Sequence, residues 1–558
     1  MFQKGKKNPH SGGLNIMIVG CGKVGMTLVD RLSKEGHDIS VVDKNAARLQ
    51  SVTHMHDVYG VVGNGASFTV LKEAGIENTD ILISVTDSDE LNLLCCLVAK
   101  RSGHCEVIAR VRTPDYSEEK AYLKEKLGLA MMINPEQETA NAISRILYMP
   151  TALEVAPFAR GHAEMVRIKL PQGNVLTGKK IADLVKELSG AVLICAVERS
   201  GKVYIPGGDF ELAAGDVISF IAPVRDGRKF LKKNGFQTHQ AKSCIIVGGG
   251  RAAYYLAKRL IELGISVQIV ENKKERCEEL SVLLPQAIIV NGDGTSEELL
   301  NEIGITTTES LVPLTGIDEE NIMLTLYAKE VSNAKVVTKI NRITYTGVID
   351  QLDLGSVVYP KYITSEAIIA FVRSKTATMN NNIETMIHLF DERVEAIEFV
   401  VGDQSPIVNL PLAQLKLKKN LLVACINRDG KIIIPGGNDK IQGGDTVIIV
   451  TTNTGFHDIE DILRRCKENM EDGGKYILTP QSEEINNPAN IVPLEEKALM
   501  ELFKTGDSYS GEVLLLLGDQ RVKLEYNKHD SENMEETIEI SFENVKDKND
   551  TPQYEFVN

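Results

Sequence analysis

The chain writes one unit of about 228 residues twice. Ile18-Val19-Gly20-Cys21-Gly22-Lys23-Val24-Gly25 recurs as Ile246-Val247-Gly248-Gly249-Gly250-Arg251-Ala252-Ala253, an offset of 228. Gly63-Asn64-Gly65 returns as Gly292-Asp293-Gly294, and Glu73-Ala74-Gly75-Ile76 as Glu302-Ile303-Gly304-Ile305, both offset by 229. Near the end of each copy, Gly201-Lys202-Val203-Tyr204-Ile205-Pro206-Gly207-Gly208 matches Gly430-Lys431-Ile432-Ile433-Ile434-Pro435-Gly436-Gly437. Self-similarity held over this distance means that whatever one copy folds into, the chain holds two of it.

Each copy has two parts. The first alternates short apolar runs (Ile16–Val19, Ile39–Val42, Val58–Val61, Ile81–Val85, Val107–Val111) with amphipathic stretches, the pattern of successive βαβ units around a parallel sheet. The second part, from Leu153 to Ala222, predicts short strands at Val192–Val197, Lys202–Ile205 and Val217–Ile221, with a helix at Ile181–Leu188. Between them, Pro135–Leu147 has the helical spacing of Ala140, Ile143 and Ile146. The expected fold is therefore α/β: two tandem units, each a Rossmann-like parallel-sheet domain followed by a small α+β module. From Lys467 onward nothing matches the first copy. Glu501 to Asn558 carries 14 acidic and 6 Lys/Arg residues, around apolar segments Gly511–Leu517 and Thr537–Phe542 that read as strands.

A net charge of −15 argues against a general nucleic-acid binder, which needs a basic footprint. No run approaches the roughly 18 apolar residues of a membrane helix, and Met1–Gly13 lacks the apolar core of a secretory signal. The nine cysteines show no C-x-x-C spacing and sit mostly in apolar runs such as Leu94-Cys95-Cys96-Leu97, so they are expected as buried thiols rather than disulfides or zinc ligands. His54-Met55-His56 is expected as an exposed helix-to-strand connection rather than a metal site.

Gly20, Gly22 and Gly25 form G-x-G-x-x-G between an apolar strand and a helical pattern, and Asp43 follows 18 residues after Gly25. The first glycine permits the turn, the second lets a phosphate approach the backbone, and the third lets helix and strand pack. Asp43 can accept both hydroxyls of an adenosine ribose and would repel a 2′-phosphate, which favours NAD(H) or adenine mononucleotides over NADP(H). The second copy keeps Gly248 and Gly250, with Ala253 third and Glu271 as the acid. Thr86 and Asp87 follow one strand and Arg110 lies on another, Val107–Val111, in the crevice where such sheets bind ligands; the second copy has Thr315, Gly316 and Lys339 there. Arg110 either contacts phosphate or pairs with a nearby carboxylate.

These segments, with Asp87-Ser88-Asp89-Glu90-Leu91-Asn92 and Ile108-Ala109-Arg110-Val111-Arg112, closely resemble an RCK (KTN) domain. Ile205-Pro206-Gly207-Gly208 with Ala214-Gly215-Asp216 resembles the small C-terminal RCK module. The resemblance covers residues 14 to 465. It implies an N-terminal extension (1–13), RCK N-terminal domains at 14–134 and 242–360, RCK C-terminal domains at 153–224 and 384–453, and an acidic extension at 467–558 that the family does not explain. It implies nucleotide contacts at Gly20, Cys21, Gly22, Lys23, Val24, Asp43, Thr86, Asp87 and Arg110. In the second half they fall on Gly248, Gly249, Gly250, Arg251, Ala252, Glu271, Thr315, Gly316 and Lys339. It further implies NAD(H) and ATP/ADP as ligands and homo-oligomers, dimeric or tetrameric. It implies docking on the cytoplasmic face of a Trk-type potassium-translocating membrane subunit. The expected role is then a cytosolic, non-enzymatic regulator acting by linkage. The alternatives are regulation of another K⁺ channel or a K⁺/H⁺ antiporter, and, more remotely, an NAD-dependent dehydrogenase, which would need an acid/base group over the nicotinamide.

Overall fold

The computed structural model describes residues 13–187, 191–341, 349, 352–376, 383–390 and 393–464, and beyond these the strand residues 477–478, 510–517, 520–529, 537–545 and 554–557. Two compact units result, Met1–Leu463 and Arg464–Asn558.

In the first unit the alternation of apolar runs and amphipathic helices closes two six-stranded parallel sheets of identical order. The first runs Tyr59–Val62, Asp38–Asp43, Asn15–Val19, Ile81–Ser84, Glu106–Arg110, Met131–Ile133. The second runs Ile288–Asn291, Ser266–Glu271, Ser243–Val247, Ser310–Pro313, Lys335–Lys339, Ser356–Val358. In each, strand order reverses beside the fingerprint strand, which opens the crevice where an open α/β sheet takes its ligand. The sixth strand, Met131–Ile133, is too short to show a period in the sequence.

The small modules are five-stranded antiparallel sheets, again of one order. The first runs Lys202–Tyr204, Leu193–Arg199, Val217–Pro223, Ala163–Lys169, Glu154–Phe158. The second runs Lys431–Ile433, Leu421–Arg428, Thr446–Thr451, Val394–Val400, Ile383–Leu389. The helix expected at Ile181–Leu188 spans Ile181–Glu187. The two modules share a core in which Phe158, Met165 and Ile221 meet Phe390, Ala396 and Val450.

The halves are joined by an exchange. The connecting helix Pro135–Tyr148 of the first half buries Ala140, Ile143 and Leu147 against Leu256, Ala257 and Leu260 on the fingerprint helix Arg251–Glu262 of the second. Reciprocally, the helix Pro360–Thr376 buries Ile368, Ile369 and Val372 against Leu28, Val29 and Leu32 of the first fingerprint helix, Lys23–Lys34. Each fully buried aliphatic side chain is worth about 1.5–3 kcal/mol, so neither half covers its own fingerprint helix without the other. Tyr255 reinforces the seam: its hydroxyl donates to the Arg112 carbonyl over 2.9 Å and accepts from Asn134 Nδ2 over 2.9 Å.

The second unit is an antiparallel sheet ordered Ile477–Leu478, Tyr554–Val557, Ser510–Leu517, Gln520–His529, Thr537–Val545. It contains both strands expected in the tail. The extension 1–12 and the polar segments around Gln481–Pro488 and Lys546–Gln553 lie outside the described residues. Among the described residues no helix is long and apolar enough to cross a membrane. The eight described cysteines are all buried, and Cys466 lies outside. His54 and Met55 are the exposed last residues of the helix Ala46–Met55, and the half-buried His56 follows as its C-cap.

Candidate functional site

Each fingerprint glycine is fixed by a different contact. Gly20 turns at φ 104°, and a Cβ there would lie 3.0 Å from the Thr86 nitrogen. The turn thus needs left-handed backbone where the next strand passes closest. Gly22 precedes the first turn of Lys23–Lys34, and nothing stands within 4 Å of the place its Cβ would take. That open face, with the free N–H groups of the helix start behind it, is what a phosphate requires. A Cβ on Gly25 would meet the Gly20 carbonyl oxygen at 1.9 Å. In the second half Gly248 turns at φ 100° and Gly250 has the same open face, while Ala253 is fully buried.

Each acid is the last residue of its strand, Asp38–Asp43 or Ser266–Glu271. The Cys21 N–H donates to Asp43 Oδ2 over 2.6 Å and the Asn45 N–H to Oδ1 over 2.7 Å. Glu271 accepts from the Gly249 N–H over 2.7 Å and from the Lys273 N–H over 2.8 Å. The longer acid reaches the same two donors because residue 249 is glycine: a Cβ there would lie 3.0 Å from Glu271 Oε2 and 2.8 Å from Leu280 Cδ1. In the first half the equivalent Cys21 packs beside the shorter Asp43, where burial and that carboxylate push its thiol up to about 12.

Thr86 and Arg110 are held by Asn92, a residue of the repeated motif to which the sequence alone assigned no contact. Asn92 is fully buried. Its Oδ1 accepts from the Thr86 N–H (2.8 Å), the Thr86 hydroxyl (2.7 Å) and Ser84 Oγ (2.9 Å), and its Nδ2 donates to the Arg110 carbonyl over 2.8 Å. Asn321 repeats the arrangement with Thr315 (3.0 and 2.9 Å) and the Lys339 carbonyl (3.0 Å). The signal was available, since Asn92 and Asn321 occupy one position of the repeated motif. Beside Asn92, Asp89 caps the following turn through the Arg112 N–H (2.9 Å) and Thr113 N–H (2.8 Å). Burial alone would raise the Asp89 carboxyl, but the bonds from Thr113 and Arg112 outweigh it and hold it low.

Arg110 pairs with a carboxylate, its Nη2 lying 3.7 Å from Glu136 Oε1, and it also lines a cavity. The cavity, of about 350 Å³, brings Gly22, Lys23, Val24, Asp87 and Arg110 of the first half together with Ala252 and Lys339 of the second. Arg48, Glu136, Asn341 and Lys361, none of them singled out in the sequence, also line it. Burial lowers the basicity of both Arg110 and Lys339. Lys339 Nζ donates to the Leu314 carbonyl over 3.1 Å. Gly20, Cys21, Asp43 and Thr86, and Gly248, Gly249, Glu271 and Thr315, do not line this cavity. Gly250, Arg251 and Gly316 are exposed at the second half's crevice.

The residues match two family models. The TrkA-N domain matches residues 16–135 and 244–360, and the TrkA-C domain matches 165–235 and 396–464. The chain is 31% identical to the Trk system potassium uptake protein TrkA homolog of Archaeoglobus fulgidus over 451 residues, covering 81% of this chain and 100% of that one. It is 31% identical to the Trk system potassium uptake protein TrkA of Halomonas elongata, covering 81% and 99%. Among solved structures, the GsuK channel bound to NAD superposes with a TM-score of 0.53 at 18% identity, covering 80% of this chain and 78% of that one. The GsuK RCK domain gives the same score, covering 80% and 94%. Fold order, paired fingerprints and both relatives agree: the chain belongs to the TrkA family, with its TrkA-N and TrkA-C domains in tandem.

Proposed function

We propose that the protein is a nucleotide-sensing regulatory subunit of a potassium uptake system, acting on a Trk-type membrane subunit that translocates K⁺. The observation that carries this reading is the shared cavity. Its walls come from both nucleotide-fingerprint halves, so a ligand bound at one fingerprint bears on the other. The residues fit an adenine dinucleotide or mononucleotide. Gly22 and Gly250 leave room for phosphate at the helix starts, Asp43 and Glu271 are the acids that the fingerprint assigns to a ribose, and Lys23, Arg48, Arg110, Lys339 and Lys361 supply positive charge in the cavity.

The mechanism is linkage. A ligand shifts the equilibrium between two arrangements of the halves only by its difference in affinity for them. NAD(H) and ATP/ADP share adenosine, so discrimination falls to the phosphate end, at Arg110 and Lys339. The reading places the protein in the cytoplasm, on the inner face of the membrane, as a homo-oligomer. The names of the relatives and the NAD carried by the GsuK neighbour support it. Regulation of another K⁺ channel or antiporter uses the same residues and differs only in partner.

The test is calorimetric titration of the purified chain with NADH, NAD⁺, ATP, ADP and NADPH, beside Asp43→Ala and Glu271→Ala. The expected result is binding without turnover, lost in two stages by the two variants. No binding of any adenine nucleotide would overturn the reading.

A further inference from the structure

Glu136 is an anion already standing against Arg110. It is the second residue of the connecting helix Pro135–Tyr148, where the helix dipole favours a carboxylate. The 3.7 Å from its Oε1 to Arg110 Nη2 makes an ion pair but no hydrogen bond. Glu136 Oε2 and Arg110 Nε are both shut off from solvent without a hydrogen-bond partner. Orphaned polar atoms of this kind are costly, and both belong to side chains on the cavity wall. Lys339, which takes the place of Arg110 in the other half, lies on the same wall within Coulombic reach of Glu136. The second connecting helix also begins with proline, but there Pro360 is followed by Lys361, so the charge at this position is reversed.

We propose that Glu136 is a built-in competitor for ligand phosphate, a fixed negative charge that makes the first site discriminate by the number of phosphates. The inference rests on the nucleotide reading above. A phosphate that reaches Arg110 meets a carboxylate already on that guanidinium, and each further ligand charge adds to the repulsion. A ligand whose charge ends at the fingerprint helix meets less of it than a triphosphate that extends into the cavity. Glu136 therefore tilts the first site toward fewer phosphates. A ligand that displaces it pulls on a helix packed against Arg251–Glu262, which carries the event to the second half.

The test is calorimetry of the full chain with ADP, ATP and NADH in the presence of a chelator, for the wild type, Glu136→Gln and Glu136→Asp. Glu136→Gln is expected to tighten ATP about tenfold, the equivalent of one pKa unit of charge interaction, and ADP by less. Glu136→Asp, which keeps the charge, is expected to return the ATP/ADP ratio toward the wild-type value. An equal change for all three ligands overturns the proposal. So does weaker ATP binding in Glu136→Gln, the outcome if the carboxylate and phosphate share a cation. If Glu136→Gln fails to fold, Lys361→Glu carries the test: it is expected to weaken ATP more than ADP, and an unchanged ratio overturns the proposal. A wild-type chain that binds ADP and NADH leaves the nucleotide reading standing in every one of these cases. One that binds none of the three overturns that reading and this inference with it.

Discussion

Gly249 donates its backbone N–H to Glu271 Oε2 over 2.7 Å, and a Cβ on that glycine would lie 3.0 Å from the same oxygen. Small residue and long acid are thus one device, as Cys21 and Asp43 are in the first half.

Gly249→Cys is expected to displace Glu271 and cost about 1–3 kcal/mol from overpacking, with loss of nucleotide binding in the second half alone. Adding Glu271→Asp is expected to restore both by copying the first half. Thermal melts and two-site calorimetry read the outcome; a double variant no better than the single one would refute the pairing.

Asp43→Ala is expected to weaken every adenosine ligand about 10- to 100-fold, the worth of hydrogen bonds to a charged group. Arg110→Ala is expected chiefly to narrow the difference between ATP and ADP. Equal loss of ATP and ADP in Arg110→Ala, by calorimetry, would count against that assignment.

Asn92→Ala leaves the Thr86 N–H and the Arg110 carbonyl without partners. Each buried group left unsatisfied costs about 1–3 kcal/mol, so the first half is expected to melt earlier and to bind nucleotide more weakly. Asn321→Ala is expected to do the same in the second half. Differential hydrogen exchange over residues 81–112 and 310–341 distinguishes the two.

His388 gives stability a dependence on pH. Its Nδ1 lies 3.2 Å from Glu366 Oε1 and its Nε2 3.4 Å from Glu395 Oε1. Arg31 Nη1 stands 3.5 Å away, and Arg373 pairs with Glu395 at 3.3 Å. Burial alone would lower the imidazole, but the bonds to Glu366 and Glu395 outweigh it and raise it from 6.5 to about 9. A raised folded-state value means stability fully present below about 6.5 and lost as pH climbs through about 9, at about 1.4 kcal/mol per pKa unit. The melting temperature is expected to fall across that window in the wild type and to stay flatter in His388→Gln. Parallel curves for the two would remove His388 from the account.

The architecture was legible because it is periodic. Apolar runs ending at Val19, Val42 and Val111 and the constant offset between copies are enough to call two parallel sheets. Met131–Ile133 and Glu154–Phe158 escaped because three to five residues hold too little pattern. The site was legible where backbone chemistry dictates residue type, at Gly20, Gly22 and Asp43. It was not where the requirement arises between halves: Glu136 and Lys361 reach the cavity only through the helix exchange, and their opposite charges hide their equivalence.

The exchange has a further consequence. In a symmetric dimer of separate chains every substitution is made twice, and a change harmful in one copy is harmful in both. Here each connecting helix reaches its partner half within a single polypeptide, at a fixed effective concentration that dilution does not alter. One face can then drift while its twin stays put. Asp43 and Glu271, Arg110 and Lys339, and Glu136 and Lys361 are differences between the copies of just this kind, which two identical chains could not carry.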